Sequence, residues 1–419
     1  MKNYSVQISV YLYCLIPLAL LTGPFFPDLF ITIIGLTFLF NVINEKNWFY
    51  FKNQYFYFFL IFFIYINLCS IISDYKIFSL SSSLVYFRYG LFALATWYLL
   101  DVKKEFFQYF KYALLITFIY ALCDGYYQYF FGSSFFGQNS IEESRLSLPF
   151  DDKLILGGYL ARLFPLLIAL LIFDALRSKE NFIILAFLLI LTDILVYLSG
   201  ERTALGLLFI TTLCLIIFLS KFKILRILTF IVSIICIVII SYINPNIKER
   251  NVDVTLSQLG IDDNSKKVNI FSPQHESHYI GAWKLFLDNP VFGAGPNNYR
   301  NHCNDPKFSP NIMTCSTHPH NTYIQLLAET GLIGFLAISS VIIIIAVKLS
   351  KHFYYMYLKN KLIYDDYQIC LMICFILSLF PFLPTLNFFN NWINIIYFLP
   401  VGFYLNSVYN TKGTDNVES

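Results

Sequence analysis

Apolar runs of about 20 residues recur along almost the whole of this 419-residue chain, and they constrain its fold more than any other feature. Hydrocarbon offers no water to bond a bare backbone, so a run of that length is expected to cross a membrane as a helix. Charged residues make up 13% of the chain, about half the roughly 25% usual in a soluble domain. The expected fold class is therefore all-α, a polytopic membrane helix bundle of about 12 transmembrane helices. Aromatics, at 19%, suit lipid-facing and interfacial positions. A formal charge of +3 is too small to suggest a nucleic-acid partner, so the expected surroundings are membrane lipid. The first run, Val6 to Leu21, lacks a small-residue cleavage site and reads as a retained span.

The spans are expected near 6–24, 27–43, 55–73, 79–100, 107–131, 154–176, 182–200, 202–220, 223–243, 322–347, 364–384 and 388–407. With the N-terminus inside, the inner loops and adjoining helix ends hold Lys46, Lys52, Lys103, Lys104, Lys111, Arg177, Lys179, Lys221, Lys223, Arg226, Lys348, Lys351, Lys359 and Lys361. The short outer loops hold only Lys76 and Arg202 as cations. That positive-inside bias implies cytoplasmic termini and one integral membrane domain, 1–419. Two longer loops then fall outside: 132–153 and a large one, 244–321.

Arg88, Asp124, Arg162, Asp193 and Arg202 sit within or at the edges of spans. A charge there must pair, snorkel or face the bundle interior. Arg88, Asp124, Arg162 and Arg202 all lie toward the outer side, and several cations on one side favour an anionic ligand.

Five of the six histidines lie between His275 and His320, in the large outer loop. His275 and His278 are three apart on a stretch with helical spacing (Tyr279, Trp283, Phe286, Leu287), so they share a face. Asn289-Pro290 ends that helix, and Gly293-Ala-Gly295-Pro296 forms a turn that lets backbone approach a ligand. Arg300 follows with a forked head suited to phosphate. Cys303 and Cys315 are the only two of nine cysteines in an outer loop; an oxidising compartment favours their pairing. Thr317 or His318 can cap the next helix and Pro319 suits its first turn, which places His320 near a helix N-terminus. The helix dipole there keeps an imidazole neutral and able to take a proton, and it also attracts phosphate. A polar capping contact is the plainer reading of His320, and more so of His318. The histidines and loop cysteines offer metal ligands, yet no HExxH or paired CxxC spacing organises them, so no metal is expected. In the first outer loop Arg145 and the Asp151-Asp152 pair suit either a polar ligand or a solvated face. Arg202 heads a helix in the tight Ser199–Ala204 turn, with little slack.

Ser199-Gly-Glu-Arg-Thr-Ala204, the Asp288–Pro296 element and His320-Asn-Thr-Tyr-Ile-Gln-Leu-Leu-Ala-Glu-Thr-Gly-Leu-Ile-Gly334 together resemble the O-antigen ligase and polymerase superfamily. Arg145 with Pro149-Phe150 is similar to its first-loop element. The resemblance implies a GT-C-like fold with a long periplasmic loop, in the bacterial inner membrane. It implies an inverting, metal-independent glycosyltransferase without a cofactor. Its donor would be a glycan on undecaprenyl diphosphate, and its acceptor lipid A-core or another polysaccharide. By the same resemblance Arg202 binds diphosphate and His320 activates the acceptor hydroxyl. Members often carry another arginine before the Asn-Pro element. His275-Glu-Ser-His278 stands there instead, so Arg300 or a protonated His278 would have to supply the second cation. His275, Asn321 and Arg88 complete the expected substrate contacts. A polymerase shares donor and motifs with a ligase. A lipid-linked glycan flippase or transporter would instead show midplane charges and repeat symmetry.

Overall fold

Each of the chain's twelve expected spans contains a helix in the computed structural model, which describes residues 2–137, 145–147, 154–175, 179–258 and 271–415. Before the first outer loop come α1 (Lys2–Ala19), α2 (Phe25–Glu45), α3 (Gln54–Ile72), α4 (Lys76–Ser83), α5 (Phe87–Val102) and α6 (Phe106–Phe131). Next are α7 (Leu156–Ala175), α8 (Lys179–Leu198), α9 (Arg202–Phe218) and α10 (Lys223–Ile243). The large loop folds as α11 (Pro245–Lys248), a π turn (Glu249–Asp253), α12 (Val254–Gln258), α13 (Pro273–Asp288) and α14 (Tyr299–His302). The chain closes with α15 (Thr322–Leu358), α16 (Asp366–Ser378) and α17 (Asn391–Asp415). Eight of these segments are long and apolar enough to cross a membrane, while α8, α9 and α16 present shorter apolar stretches. The result is an all-α, multi-pass membrane bundle.

Burial sorts the helices. The Leu156–Phe173 stretch of α7 is 89% buried, whereas α10 and α15 are 22% buried. Helix α7 is thus the central post, packed by α8, α9 and α16, and α10 and α15 turn most of their surface to lipid. The Asp193 carboxylate is held inside the bundle. Arg226 grips it with two bonds of 2.8 and 2.9 Å, Ser233 donates at 2.8 Å, and Arg226 also reaches Thr212. Arg226, expected among the inner-loop cations, is therefore an interior residue. A carboxylate in a low-dielectric bundle draws its one available guanidinium inward.

Three expected spans differ from plain helices. The segment expected at 79–100 is divided by a 3-10 turn at Leu84–Tyr86. Ser70, Ser79 and Ser83 bond one another there, and Ser79 Oγ donates to Pro296 O at 2.9 Å. Serine hydroxyls compete for local partners and loosen a helix; here they dock α4 onto the large loop. The expected 364–384 span stops at Ser378, because Pro381 and Pro384 cannot continue it. Residues 379–390 then run without regular structure, which an apolar environment permits only where protein covers the backbone.

The third is α15, which runs to Leu358 but breaks at Gly331 (φ 63°, ψ −168°). The break frees backbone groups that the large loop takes up. Ala294 N–H bonds Ala328 O and Gly295 N–H bonds Glu329 O, each at 2.9 Å, and Leu332 N–H bonds Pro290 O at 2.8 Å. Only glycine fits position 331: its φ is left-handed, and a Cβ would stand 2.2 Å from Val291 O. Gly331→Ala is expected to cost about 1–3 kcal/mol in backbone strain alone and to detach the loop. Faster proteolysis of the 271–321 region than in the wild type checks this.

Candidate functional site

The histidine cluster forms where α13, the run into α15 and the 379–390 segment meet. Ser272 caps α13 and also lies 2.9 Å from His275 Nδ1. The expected helix is present as α13: Trp283 and Leu287 are exposed on it, and His278, Gly281, Ala282 and Leu285 are buried. Helix α13 packs on α15 through this second face. His278 Nδ1 donates to Thr314 O at 2.9 Å. Tyr299 Oη donates to the same oxygen at 2.6 Å.

Thr314 is held in turn by the Cys303–Cys315 disulfide, whose Cα atoms are 4.8 Å apart. Closing so short a loop contributes about 2–3 kcal/mol in the chain-entropy model. A Cys303→Ser, Cys315→Ser double variant is therefore expected to unfold at lower temperature in detergent, and reductant should lower the wild type to match.

His320 itself stands one residue before the helix cap. The cap is Asn321, whose Oδ1 accepts from Tyr323 N and Ile324 N at 3.0 and 3.2 Å. Thr317, His318 and Pro319, expected at the cap and first turn, precede it, because the left-handed His320 (φ 58°) turns the chain first. Thr385 N–H bonds His320 O at 2.9 Å, and Ser316 Oγ lies 3.2 Å from His320 Nε2. Three imidazoles surround the ring: His318, His278 and His275 at centroid distances of 4.1, 5.3 and 5.6 Å. Burial, then the neighbouring His318, His278 and His275, push the His320 imidazole down to about 3. Burial likewise takes His318 to about 4, against the opposing bond to Thr385 O. His275 is lowered by burial and by His278 and Arg202. Neutrality was expected from the helix dipole; burial and crowding among imidazoles are the cause.

A cationic wall adjoins this cluster. Arg202 Nη1 donates to Gln258 Oε1 at 2.8 Å and to Thr255 Oγ1 at 3.4 Å, so α12 fixes its head. It feels the charges of Arg250, on the π turn, and of Arg145. Beside it Glu201 accepts from Gly157 N and Gly158 N at 2.7 and 3.1 Å. Burial lifts its carboxyl to about 7, although those two bonds and the charges of Arg162 and Arg145 oppose the rise. Arg162 Nη1 also bonds Gly158 O at 3.2 Å. Four guanidiniums thus gather about the α8–α9 turn, and Arg202 couples this wall to the imidazoles through His275.

Not every expected residue joins. Arg88 pairs with Asp28 at 2.8 Å and bonds Tyr89 Oη at 3.1 Å, partners drawn from α2 and α5. The Asn321 amide is occupied at both ends, since Nδ2 donates to Pro381 O at 2.8 Å. Arg300 bonds Asn297 Oδ1 at 2.8 Å, lies 5.9 Å from the Phe78 ring centroid, and acts electrostatically on His318 and Glu329. The Asp151-Asp152 pair lies outside the described residues. Among the described residues no three His, Cys, Asp or Glu side chains converge as metal ligands.

Sequence reasoning passed over Arg250, Glu201 and Glu329. Arg250 stood in a polar stretch without a motif. Glu201 and Glu329 stood inside quoted motifs but were given no role. Glu329, fully enclosed, accepts from Asn297 N, Tyr299 N and Gln325 Nε2 at 2.9, 3.0 and 2.9 Å and so fixes the loop that leads to Arg300. A buried acid between two glycine-bearing elements was the available signal.

Residues 184–339 match the family model described as O-antigen ligase, a segment that encloses all three motif elements read from the sequence. No curated protein matches the chain.

Proposed function

Since residues 184–339 place this membrane protein in the O-antigen ligase and polymerase superfamily, we propose that it transfers a glycan from a lipid diphosphate to an acceptor hydroxyl at the extracytoplasmic face. The observation that carries this reading is the junction of the imidazole cluster around His320 with a fixed cationic wall: His275 lies 5.6 Å from His320 between ring centroids and feels the charge of Arg202.

The chemistry uses each half once. His320 takes the proton as the acceptor O–H bond breaks. The acceptor oxygen forms a bond to the anomeric carbon, with inversion. The bond from that carbon to the diphosphate oxygen breaks, and undecaprenyl diphosphate leaves with its electron pair. Arg202, with Arg250 and Arg145 beside it, meets the negative charge developing on the leaving group, where preorganised cations are most effective. Arg250 thereby supplies the second guanidinium that the His275–His278 stretch lacks.

We read the acceptor as lipid A-core or a related polysaccharide. A polymerase would run the same steps with a lipid-linked repeat unit as acceptor. A purified transfer assay with undecaprenyl-diphosphate-linked glycan tests the reaction: release of undecaprenyl diphosphate coupled to glycan transfer is expected, and a donor left intact with every acceptor rejects it. A deletion strain separates the two acceptors. Loss of a ligase leaves undecaprenyl-linked polymer, whereas loss of a polymerase leaves single repeat units on core.

A further inference from the structure

The ring of His278 is 1% exposed, and its two nitrogens are treated very differently. Nδ1 is committed to Thr314 O at 2.9 Å; because a carbonyl only accepts, Nδ1 carries the hydrogen. In the neutral ring Nε2 is then a lone pair. That atom is buried and has no hydrogen-bond partner among the described residues. Enclosing a bare acceptor is costly, and such an atom in a native fold calls for an explanation. Its nearest imidazole neighbour is His320, 5.3 Å away between centroids with the planes 34° apart. His275 is farther, at 6.3 Å.

The nitrogens of His320 complete the picture. Nε2 faces the Ser316 hydroxyl at 3.2 Å. With Ser316 as the donor, Nε2 is the lone pair and Nδ1 carries the hydrogen.

We propose that His278 is the positioning residue of His320: its bare Nε2 accepts a hydrogen bond from His320 Nδ1–H and holds the base in the tautomer whose Nε2 faces the acceptor. This inference rests on the glycosyl-transfer reading above. The ring centroids are 5.3 Å apart and the bond is not made in this structure, so making it requires the partly buried His320 ring to turn its Nδ1 toward His278 Nε2. Ser316 Oγ marks where the acceptor hydroxyl sits once it displaces the serine. When the acceptor proton arrives at Nε2, the Nδ1 proton stays on His320, and the new imidazolium finds an acceptor in His278. Nucleophile, base and orienting group form one hydrogen-bonded line, an arrangement that general-base sites require.

Two substitutions test this. In H278N the side-chain amide nitrogen takes roughly the place of Nδ1, so the bond to Thr314 O is kept and the bare nitrogen is deleted. H278Q places an acceptor oxygen near the position of Nε2. With purified protein and undecaprenyl-diphosphate-linked glycan, H278N is expected to lower kcat about 100-fold, the lower end of what a general base supplies. Donor KM and the unfolding temperature should stay at wild-type values, and H278Q should recover part of the lost kcat. Wild-type kcat in H278N overturns the inference, as does a loss that follows the unfolding temperature or that H278Q fails to relieve. Absence of transfer by the wild type would reject the reaction itself, a result distinct from either.

Discussion

His320→Ala is expected to lower kcat for glycan transfer by about 10²–10⁴-fold, the range attributed to a positioned general base, while the protein still inserts and folds. Among the described residues its partly buried ring has one side-chain hydrogen bond, to Ser316, so the fold loses little with it. The backbone contribution at this position, His320 O to Thr385 N–H, survives the substitution. The pH profile separates this base from an ordinary histidine. Its imidazole is depressed to about 3, so the neutral form persists through pH 5–7. The stability contribution has the corresponding sign: it is complete above the unfolded histidine value near 6.5 and is lost as pH falls from there toward 3. In the wild type kcat should therefore lack an acid limb centred near 6.5. A step near pH 7 would instead report Glu201, whose protonation as pH falls leaves the charges of Arg145 and Arg162 less neutralised. That step belongs in donor KM. Full activity of His320→Ala in a purified assay would remove the base from the mechanism.

Arg202→Ala is the companion result, with an expected loss of about 10²–10³-fold in kcat/KM, comparable to deleting one preorganised donor at a developing charge. Arg202→Lys should rescue little. Among the described residues the guanidinium's side-chain bonds, to Gln258 and Thr255, run through Nη1 alone, and a single ammonium could not both keep them and present a second edge to a ligand. Gln258→Ala should raise donor KM more modestly by freeing the arginine head. Titrating donor against each variant distinguishes these effects, and unchanged kcat/KM in Arg202→Ala would detach the cationic wall from the reaction.

Much of the bundle was legible because membrane helices announce themselves by length and apolarity. The sequence also brought Arg202, His275, His278 and His320 under suspicion, and the fold gathers them. What escaped notice depended on polar groups meeting across long separations. Arg250 reaches Arg202 only because Asn251 Nδ2 bonds Tyr197 O at 3.0 Å and docks the π turn on the end of α8. Residues 379–384 read as the end of a helix, yet 379–390 is irregular and its carbonyls serve His318, Asn321 and Tyr323. Nothing in a hydropathy pattern distinguishes a buried loop from a buried helix when both are apolar. The break at Gly331 was likewise hidden inside a run that read as one span, 322–347, and the contact there is with loop backbone.

The joint at Gly331 is built from main-chain atoms, with peptide groups of 290–295 clasping peptide groups of 328–332. Such a clasp is indifferent to most side chains and intolerant of changes in chain length. The Val291 and Phe292 side chains are exposed beside it, so their identity matters less to the clasp than the length of the chain that carries them. One residue inserted between Pro290 and Gly295 would throw the whole clasp out of step.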